Sequence, residues 1–85
     1  MKSKYPKSEL FEKLADMEHQ RWAGWQEYLH SKCEIAPSDD LIIPRELVEH
    51  WNKQIETPYA KLSETEKNSD RDEVMKYWKL LTNPQ

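Results

Sequence analysis

The apolar side chains of this sequence are few, and a large share of them are aromatic. Leu, Ile, Val and Phe together make up only 15 of the 85 residues, a fraction that is typical of disordered chains. Four Trp, four Tyr and three Met add apolar area, because each buried aromatic removes about 150–250 Å² from water. The net charge is only -3. We therefore expect a folded domain with a small, aromatic-rich core.

The length allows one small domain, for which we expect a radius of gyration of roughly 12 Å. A chain of this size should bury about 60–65% of the surface that its unfolded form exposes. No apolar run approaches the roughly 20 residues that span a bilayer, and the N-terminus lacks the apolar segment of a signal peptide. The single cysteine, Cys33, permits no internal disulfide and fits a reducing cytoplasm.

Composition also excludes several kinds of binding site. The isoelectric point of about 5.6 argues against a nucleic-acid partner, since such domains usually carry a strong basic excess. Gly24 is the only glycine, so no Gly-rich phosphate loop can form. Lys2, Lys4 and Lys7 form a small basic tail, which we expect to be a solvated terminus.

Apolar spacing predicts an all-α fold with three main helices in one compact domain. The first runs from about Ser8, a plausible N-cap, to about Ser31. Gly24 lies inside it, either to let another element approach or as a merely tolerated glycine. We expect a flexible tail over residues 1–7, the domain over 8–82 and a terminal segment over 83–85, with Asn83-Pro84 ending the last helix.

The connection after the first helix contains turn chemistry at Ala36–Asp40 and a short extended stretch, Leu41–Ile43, expected to pack against the core. The second helix should begin at Pro44 and end near Glu56. Pro58–Leu62 reads as one irregular turn.

Two starts are possible for the third helix. Ser63-Glu64-Thr65-Glu66 has the pattern of a capping box, in which Ser63 caps the helix and Glu66 bonds back to its backbone. Ser69 is the alternative start.

The segment Glu64–Glu73 carries an unfavourable charge pattern. Glu66 and Asp70 are like charges four residues apart, and so are Lys67 and Arg71. This predicts that Asp70 or Arg71 pairs with Glu18, His19 or Arg21 on the first helix. A plain solvated face is the alternative that sequence pattern alone favours.

Two motifs in this order resemble the signatures of the ryanodine-receptor repeat (RyR) domain. Met17–Trp22 resembles the "hE-H-x-x-W" signature, and Thr57–Arg71 matches "P-Y-x-x-L-x-x-x-E-K-x-x-D-R". The similarity covers about residues 10–82, and it is strongest to the small stand-alone proteins of bacteria and phages. It implies a compact, mainly helical module that binds nucleotide-type ligands, including in host–phage conflict. It does not extend to ion conduction.

The motif residues have the chemistry for a small anionic ligand. Arg21, Lys67 and Arg71 could hold a phosphate or carboxylate, and Trp22 and Tyr59 could stack on a base. The candidate ligand-binding set is Glu18, His19, Arg21, Trp22, Tyr59, Lys67, Asp70 and Arg71. The alternative is structural, with Glu18, His19, Asp70 and Arg71 joining the first and last helices and Trp22 in the core.

We expect no enzyme, because no nucleophile–base pair or carboxylate dyad stands at a recognisable spacing. His30 and Cys33 form at most half a metal site, so no metal and no cofactor are expected.

The leading hypothesis is therefore a non-enzymatic binding module for a nucleotide-type or other small anionic ligand. The alternative is a structural or oligomerising adaptor that uses exposed aromatics and binds protein. A ligand site requires Arg21, Lys67 and Arg71 to converge on an open pocket, whereas an adaptor leaves them paired internally. We also expect all four tryptophans to lie mostly buried in a single core, namely Trp22, Trp25, Trp51 and Trp78.

Overall fold

A computed structural model describes residues 4–82 of the chain, and these residues form three helices and a small hairpin. Helix α1 spans Glu9–Lys32, α2 spans Arg45–Glu56 and α3 spans Glu64–Thr82. The predicted all-α fold with three main helices is confirmed. The predicted terminal segment 83–85, with its helix stop at Asn83-Pro84, and the first three residues of the predicted tail lie outside the described residues.

Local capping sets where α1 begins. The Ser8 backbone is extended, and its hydroxyl accepts a hydrogen bond from the backbone N–H of Phe11 at 3.3 Å. Glu9 and Glu12 lie in the first turn, where negative charge interacts favourably with the helix dipole. The predicted N-cap is confirmed, and the helix ends one residue beyond the predicted Ser31.

The connection between α1 and α2 is a two-stranded antiparallel hairpin of strands β1 (Glu34–Ile35) and β2 (Leu41–Ile42). Its turn closes through the backbone bond from Ala36 N to Asp40 O at 2.8 Å, with Asp39 in the left-handed region at a φ of 71°. The predicted turn is confirmed. The expected packing of Leu41–Ile43 against a core is wrong, because all three side chains are exposed.

Proline residues set the limits of α2. Pro44 precedes its first residue, and Thr57, which is held extended before Pro58, ends it. The turn that follows is a 3₁₀ turn at Tyr59–Lys61. These limits agree with the predicted ones to within one residue.

The capping box starts α3 as predicted. The backbone N–H of Glu66 donates to the Ser63 hydroxyl at 3.2 Å, and the Ser63 N–H donates to the Glu66 carboxylate at 3.1 Å. Two of the four unpaired backbone donors at the helix start are thereby satisfied. The alternative start, Ser69, lies inside the helix.

The helices pack openly. No residue between 4 and 82 is fully buried, and the radius of gyration is 17.2 Å, larger than the roughly 12 Å expected from length. The accessible surface of 7705 Å² means that the chain buries only about half of its unfolded surface, less than the expected 60–65%. The physical reason is that much of the apolar surface of the helices is not covered by any of the described residues.

The expected tryptophan core does not form. Trp22, Trp25 and Trp78 are each about half exposed, and Trp51 is only partly buried. Trp25 and Trp51 meet edge to face with ring centroids 5.6 Å apart, which joins α1 to α2. Trp78 makes no ring contact with another described residue, because it lies about 100° around α3 from Tyr77, which faces α1.

Within residues 4–82, no helix is both long and apolar enough to cross a membrane.

Candidate functional site

The predicted site residues divide between two clusters. The first, called here the crossing cluster, consists of Glu18, Arg21 and Tyr77 where α1 meets α3. The Arg21 guanidinium donates twice to the Glu18 carboxylate, once from Nε to Oε2 at 3.1 Å and once from Nη2 to Oε1. The Tyr77 hydroxyl on α3 donates to the same Oε2 at 3.2 Å. Glu18 therefore binds its own helix and the last helix together.

This arrangement keeps both charges of the ion pair in place. The hydrogen bonds from Arg21 hold the pKa of Glu18 below its ordinary value, with a smaller contribution from Tyr77. Hydrogen bonding to Glu18 in turn raises the pKa of Arg21. Both side chains remain about half exposed, so the pair lies at the surface. Arg21 is consequently engaged by a carboxylate of its own chain.

The second cluster, called here the turn cluster, consists of Tyr59, Glu64, Lys67 and Arg71. Arg71 Nη1 donates to Glu64 Oε2 at 2.9 Å, and it also donates to Asn68 Oδ1 at 2.9 Å. Lys67 Nζ lies 3.7 Å from Glu64 Oε1 and 5.8 Å from the centroid of the Tyr59 ring. One carboxylate thus contacts two cations beside an aromatic ring.

The electrostatics of the turn cluster follow from this sharing. The hydrogen bond from Arg71 lowers the pKa of Glu64, and the charge of Lys67 adds to the effect. The bond to Glu64 raises the pKa of Arg71, and the Tyr59 hydroxyl contributes further. The side chain of Lys67 is only 18% exposed, since it lies between the ring and the carboxylate.

The predicted contact between Arg71 or Asp70 and the first helix is wrong. Arg71 pairs with Glu64, which is seven residues away and therefore two helical turns along the same face of α3. The carboxylate of Asp70 is exposed and forms no hydrogen bond or ion pair with any described residue. The link between the helices exists, but Tyr77 provides it. The sequence did not indicate this role of Tyr77, because its spacing with the apolar residues of α3 suggests only a packed ring. A tyrosine hydroxyl also needs a hydrogen-bond partner.

The remaining predicted residues, His19 and Trp22, stack on each other along α1 with ring centroids 6.0 Å apart. Residues two positions apart on a helix are separated by about 200° around its axis. His19 and Arg21 therefore lie on nearly opposite sides of α1. The eight predicted residues therefore do not converge on one pocket. A shallow depression of ≈ 440 Å³ lies instead beside Met17 and Leu80, and none of the eight lines it.

No group of three or more His, Cys, Asp or Glu side chains is placed to hold a metal ion in the part of the chain that the structure describes. The Cys33 thiol, half of the weak His30–Cys33 pattern, donates to the backbone carbonyl of Leu29 at 3.2 Å.

Comparisons with protein-family models, with curated proteins and with solved structures gave no match. The similarity to the RyR domain accordingly remains a resemblance carried by the two sequence motifs.

Proposed function

We propose that this chain is a non-enzymatic, helical protein-interaction module that binds another protein through exposed apolar helix faces. The observation that carries the proposal is a contrast between two sets of side chains. The three cations expected to hold an anion are paired within the chain, whereas large apolar side chains on every helix remain open to water.

The paired cations argue against a preformed anion site. Arg21 is held by Glu18, and Lys67 and Arg71 share Glu64. An incoming anion would have to displace a carboxylate that is already hydrogen-bonded, so these cations offer little net attraction. Their arrangement is the one expected of an adaptor rather than of a ligand site.

The open apolar side chains support protein binding. Soluble monomers rarely expose large contiguous apolar patches, and such patches mark interaction surfaces. Aromatic side chains are also enriched at protein interfaces. The large apolar side chains that stay exposed on the three helices are Leu10, Trp22, Trp25, Tyr28, Val48, Ile55, Val74, Met75, Trp78 and Leu81.

A solution experiment on the whole chain tests this function. Tryptophan emission and iodide quenching should report water-exposed indoles at low protein concentration. Millimolar inorganic phosphate or ATP should leave the Tm unchanged. A blue-shifted, quencher-protected emission in a proven monomer would contradict the proposal, and so would a Tm that rises with phosphate and loses that rise in Arg71→Ala.

A small anionic ligand at the turn cluster is the second candidate function. It is favoured by one observation, namely that Tyr59, Lys67 and Arg71 stand together around a single carboxylate. This leaves one positive charge in excess beside a half-exposed ring on which a base could stack. The motif resemblance adds a nucleotide-type ligand and a host–phage setting to this second proposal.

Glu64 provides the test of that second candidate. Glu64→Gln removes the competing charge while keeping a side chain of the same shape. If the cluster binds anions, this variant should gain affinity for inorganic phosphate and AMP in a calorimetric titration. Glu73→Gln, which removes an α3 carboxylate outside the cluster, is the matched control. Absence of binding in both variants would eliminate the candidate.

A further inference from the structure

We propose that the protein bound by these apolar faces is a second copy of this chain, in a reciprocal two-fold dimer. The inference rests on the proposed function and names its partner. Two surfaces carry it. The outer stripe is Val74, Trp78 and Leu81 on α3, and the aromatic face is Trp22, Trp25 and Tyr28 on α1. In the dimer, the outer stripe of each copy covers the aromatic face of the other.

The outer stripe has the spacing of a helix-docking surface. Its residues stand at positions i, i+4 and i+7, which places them within about 60° of one another around α3. Each is about half exposed. Tyr77, which faces α1, lies about 100° around the helix from Trp78, about 60° from Val74 and about 40° from Leu81, so Trp78 is the stripe residue turned farthest from the contact within the chain.

The aromatic face is a second, separate surface. Trp25 and Tyr28 stack with ring centroids 5.5 Å apart, and Trp25 also contacts Trp51, which fixes its orientation. Trp22 lies one turn earlier on the same side of α1 and is 55% exposed. The stacked rings form a rigid apolar surface that costs little side-chain entropy to bury.

In one copy, the part of the outer stripe beyond the crossing, Trp78 and Leu81, cannot cover the aromatic face. Tyr77 contacts Glu18, and Leu80 lies beside Met17, so α3 runs from the crossing toward the N-terminal half of α1. Trp78 and Leu81 follow that direction, whereas Val74 precedes the crossing. The aromatic face lies on the other side of the crossing, toward the C-terminal end of α1. Among residues 4–82, nothing covers Trp78, Leu81 or the aromatic face, so we assign their cover to a second copy.

The chain exposes more area than a compact monomer of its mass, and the excess matches the area that a stable dimer buries. A monomeric protein of 10.3 kDa should expose about 5,350 Å², whereas this chain exposes 7705 Å². The excess is about 2,350 Å² per copy. Standard interfaces take about 800 Å² from each partner, and obligate homodimers take roughly 1,000–2,500 Å². The excess thus falls in the obligate class.

The buried area also decides between two kinds of dimer. In the reciprocal dimer the outer stripe of each copy contacts the aromatic face of the other, and in stripe-on-stripe pairing the two outer stripes contact each other. Three half-exposed side chains supply on the order of 300 Å² per copy, well below what a stable interface needs. Adding the aromatic face roughly doubles that area before the 80% exposed Ile55, one turn after Trp51 on α2, is counted. A two-fold axis makes both contacts at once, because residue i then contacts j while j contacts i.

Sedimentation velocity of the whole chain across a concentration series is the first measurement. We expect a species of twice the 10.3 kDa chain mass. Trp22→Glu and Trp78→Lys should each weaken dimerisation at least tenfold, because either change places a charge in both copies of the contact. Ile35→Lys, which alters a 73% exposed apolar residue on the hairpin, is the matched control and should dimerise normally.

Mixing the two variants tests reciprocity. In a mixed dimer one contact is unaltered and the other pairs the new glutamate with the new lysine, so the mixture should regain dimers that neither variant forms alone. Stripe-on-stripe pairing predicts no such rescue. Circular dichroism checks that each variant keeps its helices, and Tyr28→Glu with Leu81→Lys replaces any variant that does not.

The outcomes separate this inference from the function on which it rests. A wild-type chain that stays monomeric with water-exposed indoles and no phosphate effect overturns the dimer but leaves a protein-interaction module. A monomer whose Tm rises with phosphate, with the rise lost in Arg71→Ala, overturns both. Dimers that survive both substitutions, or variants that fail to rescue each other, overturn the reciprocal contact.

Discussion

The Tyr77 hydroxyl donates a hydrogen bond to Glu18 across 59 residues of sequence, at 3.2 Å. Among the described residues it is the one side-chain hydrogen bond that joins α1 to α3. Because Arg21 already holds the carboxylate in place, the bond fixes where along α1 the last helix crosses. That crossing in turn determines which apolar side chains of α3 face away from α1.

Removing this hydroxyl should loosen the attachment of α3. We expect Tyr77→Phe to lower the Tm by a few degrees, because the substitution keeps the ring but removes a bond to a charged acceptor. Amide hydrogen exchange should be faster in the second half of α3. Tyr28→Phe is the matched control, since the Tyr28 hydroxyl bonds no described residue, and its Tm should match the wild type. Equal Tm values for all three proteins would contradict this role of Tyr77.

Gly24 is a tolerated helix glycine rather than a point of close approach. A methyl group added there would meet no atom within 4 Å. Gly24→Ala should therefore stabilise the chain by about 1 kcal/mol, through helix propensity and lower entropy of the unfolded state. For a domain of this size the Tm should rise by about 4–8 °C at constant protein concentration. A lower Tm would reveal a contact at Gly24.

Ser63 should contribute as an N-cap. Ser63→Ala removes the acceptor for the Glu66 backbone N–H and should cost about 1 kcal/mol in a denaturant titration. Ser69→Ala is the matched control, because Ser69 lies inside α3 and alanine is the better helix former there. If both variants lose the same stability, the capping role of Ser63 is contradicted.

The parts of the fold that sequence predicted were those set by local signals. Ser8, Pro44 and Ser63 each affect the backbone within three or four residues of themselves. The starts of the three helices could therefore be predicted from the sequence. Periodicity also showed which side of each helix is apolar. It does not show whether that side is covered by the same chain, and for this reason the tryptophan core was expected and does not form.

The site shows the same division between local and distant information. The like charges of Glu64–Glu73 predicted a partner for Asp70 or Arg71 on α1, and that prediction is wrong. The charged partner of Arg71 is Glu64, two full turns away on the same face of α3. The partner of Glu18 outside α1 is Tyr77, which lies 59 residues away in sequence on α3. The spacing of Tyr77 does not distinguish a hydrogen-bonded hydroxyl from a packed ring.

Stability should depend on pH through three carboxylates. Hydrogen bonds lower the pKa of Glu18, Glu64 and Glu66 below the ordinary value of 4.5. For Glu66 the largest contribution comes from the Gln54 amide on α2, which donates to its carboxylate at 2.7 Å. Each group binds fewer protons folded than unfolded, so its contribution is complete above that value and is lost as pH falls through the folded pKa. We expect a flat Tm from pH 6 to 8 for these groups and a fall below about pH 5.

The substitution Glu66→Gln tests one of these three carboxylates separately. The amide still accepts from Ser63 but cannot titrate, so the fall in Tm between about pH 5 and 3 should become shallower. Glu27→Gln is the matched control, because the Glu27 carboxylate receives no hydrogen bond from the described residues and has no donor to lose. Its profile should follow the wild type. A Tm that rises on acidification, or Glu66→Gln and wild-type profiles of equal steepness, would contradict a carboxylate held ionised by Gln54 and Ser63.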